Sequence, residues 1–472
     1  MTGATASAQF QGGTTFANKY TILSATGGLS GTFSNFQTNS AAITANLTYT
    51  ATDVILNLIS GFTSIGGGLS GTSGLTRNQT AVAAALDNAF NHGGKSLTGL
   101  LGLSAGQLPA AFDALSGEGI SAAQQTAFGA GNVFTTMMMD QGAFWRGGAA
   151  ADRADPNGVT YAPLGYAAEK TASGPFAAMP AKAPLFEQRW RGWVAGFDGT
   201  SSLRGEADPG SAGQRERIAA AAAGLDYQVN PNLLVGAAAG GSTSSFSVPD
   251  RSTSGNLNGF HLGGYAVARR DQWYAAGTLA FANFDNTTQR SIIGVGPTET
   301  ANGSFASNLF SGRFELGWQQ VLNGFSVTPF AALQFAELWQ RGFAETGTAF
   351  GGAPAVNGLS FAGHHVASLP AFLGAQFDTR YALANGMIWS PYARASWVHE
   401  FDPARNVSAS FIALPGSGFT VDGPRAAGNA ARLDLGLKLA LNQTAALFAS
   451  FDGEFSDRTQ SYAGKGGFKV NW

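Results

Sequence analysis

The chain closes on S-Y-A-G-K-G-G-F-K-V-N-W, residues 461–472. In an extended strand side chains alternate, so Tyr462, Gly464, Gly466, Phe468, Val470 and Trp472 share one face, and Ala463, Lys465, Gly467, Lys469 and Asn471 share the other. One face is apolar with an aromatic at each end; the other carries two lysines and an asparagine. By itself this reads equally well as a soluble strand lying on a core or as a barrel strand, whose roughly ten alternating residues cross a bilayer between aromatic girdles. The remainder of the chain separates the two.

Composition favours the membrane. Charged residues make up 12% of the 472, against roughly 25% in soluble domains, while Gly contributes 65 residues and Phe 35. No run approaches 18 uninterrupted apolar residues, so a helical span is not expected. Net charge of −2 gives no reason to expect nucleic acid. Cysteine is absent, which excludes disulfides, thiol catalysis and cysteine-ligated metal. The start, M-T-G-A-T-A-S-A-Q-F, has neither a basic n-region nor an apolar h-region. An exported chain needs such a leader, so the expectation is a C-terminal portion of a longer protein.

Four segments are expected. Residues 1–60 carry short β-forming runs (Tyr20 to Ser24, Ala45 to Leu58) separated by Gly, Asn and Thr, and are read as the last rungs of a parallel β-helix. Residues 61–146 open with a Gly/Ser-rich joint, Ser60 to Gly74, and continue as helices. One is capped by Asn78, a second lies between Leu100 and Leu115, and a third runs from Ser121 to Trp145. Gly129, Gly131 and Gly142 weaken the third by about 1 kcal/mol each relative to Ala, so it needs surroundings to hold it. Residues 147–186 are an Ala/Gly/Pro linker.

From residue 187 to 472 strand follows strand. Twelve are expected, starting near Trp190, Glu216, Leu233, Asn256, Trp273, Asn302, Phe325, Gly363, Met387, Asn429, Ala445 and Thr459. Tight turns at Pro231, Asp271, Asn323-Gly324, Asn385-Gly386 and Asn442 alternate with mostly longer connections at 205–215, 249–255, 287–301, 344–362 and 403–428; only the last, near Ser456-Asp457-Arg458, is short. A soluble sandwich has no reason to segregate loop length by parity. A transmembrane barrel does, with turns periplasmic and loops outside. Leu433, Leu435, Leu437, Leu439 and Leu441 line one face with Asp434 and Lys438 opposite, which points those charges into a lumen. The tryptophans of this region (Trp190, Trp193, Trp273, Trp318, Trp339, Trp389, Trp397, Trp472) are expected in the aromatic belts.

Within this region F-H-L-G-G-Y-A (260–266), A-S-W-V-H-E-F (395–401), the pattern V-S-A-S-F…F-T-V-D-G (407–423) and the terminal F-K-V-N-W stand in the order of the autotransporter β-domain. The chain resembles the C-terminal half of a classical (type V) autotransporter over nearly its whole length. That resemblance implies a 12-stranded antiparallel transmembrane β-barrel with a lumen helix, preceded by a helical junction and a parallel β-helix end. It implies an outer-membrane translocator that anchors and displays a passenger at the cell surface, with a monomeric barrel. It implies outer-membrane lipid, the barrel assembly machinery and periplasmic chaperones as partners. Tyr462, Phe468, Val470 and Trp472 resemble the terminal signal which that machinery reads. Some relatives cut themselves at Asn-Asn in the lumen; this sequence has no Asn-Asn. The long linker also departs from the family, whose helix leads almost directly into the first strand.

Chemistry is sparse. His364-His365 alternate and cannot chelate together within a strand; both are read as polar residues at a loop edge. His399 is read as structural, with a contact to the lumen. G-L-S-A-G (102–106) fits the nucleophile-elbow spacing but lies in a helical segment, without the strand–turn–helix setting the motif needs. No catalytic residue, cofactor or metal is expected. A porin or a barrel-based surface enzyme remain as alternative readings.

Overall fold

A computed structural model describes residues 3–10, 17–64, 74–93, 97–151, 189–322 and 324–472. Most of the Gly/Ser-rich joint, and the linker beyond Ala151, lie outside the described residues.

The N-terminal part holds five short strands. β1 (Thr5–Ala8) pairs in parallel with β3 (Asn35–Thr38), Thr5 standing opposite Asn35. β2 (Lys19–Ser24), β5 (Asp53–Ser60) and β4 (Ile43–Tyr49) form an antiparallel sheet in that order. Parallel pairing is thus confined to β1 and β3 among the described residues. α1 (Arg77–Gly93) and α2 (Leu108–Leu115) follow. The cap of α1 is not Asn78. Thr76 and Gln79 make a reciprocal capping box, with Thr76 N–H donating to Gln79 Oε1 at 3.0 Å and Gln79 N–H to Thr76 Oγ1 at 3.3 Å. Asn78 is released to bond the backbone of Asp422 in both directions, at 2.8 and 2.9 Å. Tertiary docking, not helix initiation, explains that asparagine.

α3 spans Ser121–Ala151, running past Trp145 into the segment read as linker. Its glycines do not break it, because its backbone is enclosed on all sides.

Twelve long antiparallel strands then close on themselves. They begin with β6 (Trp190–Leu203), β7 (Gln214–Asn230), β8 (Leu233–Val248), β9 (Thr253–Arg270), β10 (Trp273–Ile292) and β11 (Glu299–Trp318). They continue as Phe325–Gln340, a broken strand His364–Ser368 and Pro370–Thr379, then Ile388–Glu400, Asn429–Ala440, Ala445–Phe455 and Thr459–Asn471. The break falls at Leu369 before Pro370, where the Glu400 carboxylate accepts the Ser368 hydroxyl at 2.5 Å and the Leu369 N–H at 2.7 Å. A five-alanine run, Ala219 to Ala223, favours helix by propensity, yet it lies in β7 between β6 and β8. Ladder pairing on both sides overrides the local preference.

The parity of the connections holds only in part. β10 and β11 are each 20 residues long, about twice what crosses a bilayer. They absorb most of the loop expected at 287–301, leaving 293–298; the outer connections 249–252 and 456–458 are shorter still. The two longest loops fold instead of hanging free. Phe343–Ala344, Leu359–Phe361, Asn406–Phe411 and Phe419–Asp422 form a four-stranded sheet over the loop end. Phe361, Val407, Phe411 and Val421 from that sheet share one apolar core with Leu58, Phe62, Leu86, Phe90 and Phe112, so the N-terminal part is seated on the barrel.

The outward face is that of a membrane protein. Leu433, Leu435, Leu447, Phe451, Tyr462, Phe468 and Trp472 are exposed, and so are Trp190, Trp273, Trp339, Trp389 and Trp397. Trp193 is the correction: it is 3% exposed, points inward, and donates its indole N–H to the Tyr265 hydroxyl at 2.8 Å. His399 is another. It shares the outer face with Trp397 and Phe401, whose rings it contacts, and bonds Asn429 Oδ1 at 2.9 Å, away from the lumen.

Candidate functional site: the occupied lumen

α3 is threaded through the barrel, and its direction is fixed at both ends. Just before it, Glu118 accepts the N–H of Ala212 from the β6–β7 loop, and Gly119 packs on Thr253 at the start of β9. Near its other end Trp145 packs with Leu234, Val267 and Tyr274 beside the short turns, under the guanidinium of Arg269 at 4.8 Å. The chain therefore enters at the loop end and leaves at the turn end, where β6 begins. Short turns lie on the periplasmic side, so the N-terminal part stands outside.

The helix is buried around its circumference, unlike an amphipathic surface helix. It lies against β7 to β11, where wall side chains fill its glycine notches. A Cβ added at Gly129 would sit 2.7 Å from Ile218 Cδ1, one at Gly131 2.2 Å from Leu309 Cδ2, and one at Gly142 2.4 Å from Val267 Cγ2. What weakens the helix alone is what lets it fit.

Polar anchors step down its length. Gln124 donates to the Asn406 carbonyl at 2.8 Å, and Arg405 donates to Gln125 Oε1 at 3.2 Å while its guanidinium covers the Phe128 ring. Gln334 donates to Asn132 Oδ1 at 3.3 Å. Lower down, Lys465 Nζ of the terminal strand reaches Asp140 at 2.7 Å and Asp452 at 3.0 Å. Phe144 wedges against Phe448 and Tyr392.

The wall also fills the lumen beside α3 with its own paired side chains. Glu315 takes Arg394 at 2.6 Å, Arg313 at 3.0 Å and the Tyr274 hydroxyl at 2.9 Å. The two guanidiniums stack on Phe330 and Phe372. Near the turns Arg191 pairs with Asp226 at 2.7 Å, and the Tyr265 hydroxyl also donates to Asp226. Buried charges kept in pairs avoid the several kcal/mol that an unpaired one costs.

The terminal strand is where the expected signal residues sit. Its register with β6 places Thr459 opposite Leu203 and Asn471 opposite Arg191. Trp472 completes the closure, giving its N–H to the Trp190 carbonyl at 2.9 Å and taking the Trp190 N–H at 3.0 Å. Its indole lies over Gly192, where an added Cβ would meet the ring at 3.1 Å. Tyr462, Phe468 and Trp472 face outward; Val470 is half-buried. Inward stand Ala463, Lys465 and Lys469. The sequence reading found the outer face of this strand and missed the use of Lys465, since no local pattern names a partner 325 positions away.

His364 and His365 open the eighth strand, His365 opposite Trp339, with ring centroids 6.0 Å apart. Among the described residues no three His, Cys, Asp or Glu side chains group to hold a metal. Ser104 of G-L-S-A-G bonds Gln107 Oε1 through its N–H and hydroxyl, in the turn leading to α2.

The autotransporter beta-domain profile matches residues 192–452. The BrkA autotransporter of Bordetella pertussis is 31% identical over 212 residues, covering 43% of this chain and 18% of that protein. Outer membrane protein B of Rickettsia japonica is 27% identical over 148 residues, covering 29% of this chain and 9% of that protein. The chain thus matches less than a fifth of the length of either relative. Among solved structures, the translocator domain of the autotransporter NalP from Neisseria meningitidis is 16% identical with a TM-score of 0.47, covering 61% of this chain and 90% of that one. With its profile match spanning more than half of its residues, the chain belongs to the autotransporter β-domain family and forms an outer-membrane barrel.

Proposed function

We propose that this chain is the translocator end of an autotransporter, which carries an N-terminal passenger across the outer membrane and holds it at the cell surface. One observation carries this reading: α3 runs from the loop end to the turn end, so the polypeptide crosses the barrel once from outside to periplasm before β6 begins. A porin needs an open lumen, whereas here the helix and the paired wall side chains occupy it. Residues 1–60 are then the end of the passenger, and 74–120 a junction that docks it on the rim. The barrel acts as a conduit and anchor, not a catalyst. The outward aromatics Tyr462, Phe468 and Trp472, with Val470, form the segment read by the assembly machinery as periplasmic chaperones deliver the chain.

The test is paired. A protease site fused ahead of residue 1 should be cut by protease added to intact cells. Planar-bilayer recordings should show a closed full-length chain and a conducting one lacking residues 1–186. A fused site shielded from external protease, or a large current from the full chain, refutes the reading.

A further inference from the structure

Where α2 meets α3 the chain turns from the junction into the lumen, and a carboxylate is buried at that corner. The Glu118 side chain is 1% exposed. Arg251, in the β8–β9 loop, forms an ion pair with Glu118, its Nε 2.9 Å from the carboxylate, and lies 3.3 Å from Asp113 of α2. One guanidinium thus serves two carboxylates, and it also donates to the Gly210 carbonyl at 2.6 Å. The Ala212 N–H reaches both Glu118 oxygens at 3.3 Å, and Gln79 of α1 donates to Asp113 at 3.1 Å. Around it Arg77 pairs with Asp208 and Asp422, Arg290 with Glu345, and Arg425 and Arg458 with Glu206, while Asp250 adjoins Arg251 and the Glu216 carboxylate of β7 faces α3 beside Gly129. The corner itself is tight. Gly117 has φ +64°, and an added Cβ at Gly119 would meet Thr253 at 2.7 Å.

We propose that Glu118 is the positioning residue that seats the outer end of the lumen helix on the barrel rim, and that its burial there, beside Asp113 and with one guanidinium between the two, makes this seating tighter in acid than in alkali. The inference rests on reading α3 as the link between displayed chain and barrel. Glu118 lies beyond the strand ends, on the loop side. Burial pushes its carboxyl up to about 7 from 4.5; Arg251 and the Ala212 N–H pull it down, and Asp113 adds to the rise. Asp113 is raised as well, chiefly by burial, against Arg251 and Gln79. A carboxyl raised in the docked state binds its proton more tightly there than when undocked. Its contribution to docking is therefore complete below the undocked value of 4.5 and is lost as pH rises through 7.

The experiment is hydrogen exchange, corrected for intrinsic rates, on amides 108–121 of the full chain refolded in vesicles, from pH 5.5 to 8, with every chain also run in an E216Q background so that the Glu216 carboxylate beside α3 contributes no slope. Opening should rise on the order of tenfold across that range. E118Q, which mimics the protonated acid, should stay at the acid-side level throughout. E118A should open at every pH, and E118D should restore a pH slope. R251Q strips both carboxylates of their cation, so it should open most at pH 8 and recover at 5.5. A flat wild-type profile, or a slope retained in E118Q, overturns the proposal. Because exchange is read on the folded barrel, these outcomes stand apart from whether a passenger is displayed.

Discussion

Replacing Lys465 by methionine would strip the contact that joins α3 to the strand closing the barrel. Lys465 is buried between Asp140 of the helix and Asp452 of the neighbouring strand, at 2.7 and 3.0 Å. Removing one partner of a buried pair costs about 3–5 kcal/mol, because the charge left behind is uncompensated. Here two carboxylates are left behind, so K465M should reach the upper part of that range. D140N differs: Lys465 keeps Asp452, and the amide oxygen still accepts, so the loss should be nearer the 1.5–3 kcal/mol, roughly, of one charged hydrogen bond. The triple variant K465M/D140N/D452N replaces the lysine and both its partners by neutral side chains, leaves Arg432 paired with Asp434, and should return to within about 1–2 kcal/mol of the parent, since such replacements are often neutral. Urea unfolding in vesicles, followed by tryptophan fluorescence, measures all three. Bilayer recordings should show K465M flickering open more often, as its helix is less firmly held. The reasoning fails if D140N costs as much as K465M, or if the triple variant is no better than the single.

Further outcomes follow from the packing. In an isolated α3 peptide, G131A and G142A should each raise helicity, by about 1 kcal/mol in propensity. In the barrel the new methyls meet Leu309 and Val267 at an overpacking cost of about 1–3 kcal/mol. Circular dichroism of the peptide and unfolding of the barrel should therefore disagree, and a barrel stabilised by the full helix gain would contradict the notch fit. Deleting Trp472 removes both backbone bonds to Trp190 and the ring over Gly192. Inserted barrel, read as the heat-modifiable band on a gel, should fall while total synthesis is unchanged; an undiminished band sinks this. L435R puts a cation on the lipid face and should cost about 2–4 kcal/mol if it lies near the midplane. A neutral L435R in vesicle unfolding would move Leu435 off the membrane surface.

Strand number, strand starts and facing were legible in the sequence because each is a local property. Alternation with period two assigns Leu433 to lipid and Asp434 to the lumen without reference to any partner. The exceptions all involve a side chain whose role is set from across the fold. Trp193 looks like a belt tryptophan until Tyr265 is placed beside it. Asn78 looks like a cap until Asp422 arrives from 344 positions away. The stretch 287–301 reads as a long loop because Gln289, Arg290, Gly294, Gly296 and Pro297 make it polar and rich in turn residues. Neighbours on both sides carry β10 and β11 out beyond the bilayer all the same.

Periodicity thus determined a twelve-stranded membrane barrel with a helix ahead of it, and composition with loop parity determined the environment. The family resemblance implied a helix in the lumen; only the tertiary structure decided which wall residues fill its notches and that Lys465 and Arg405 hold it there. The physical reason is range. Alternation and turn chemistry act between residues a few positions apart, whereas ion pairs and notches in the lumen form between segments that meet only when the terminal strand pairs with β6 and the barrel shuts around α3.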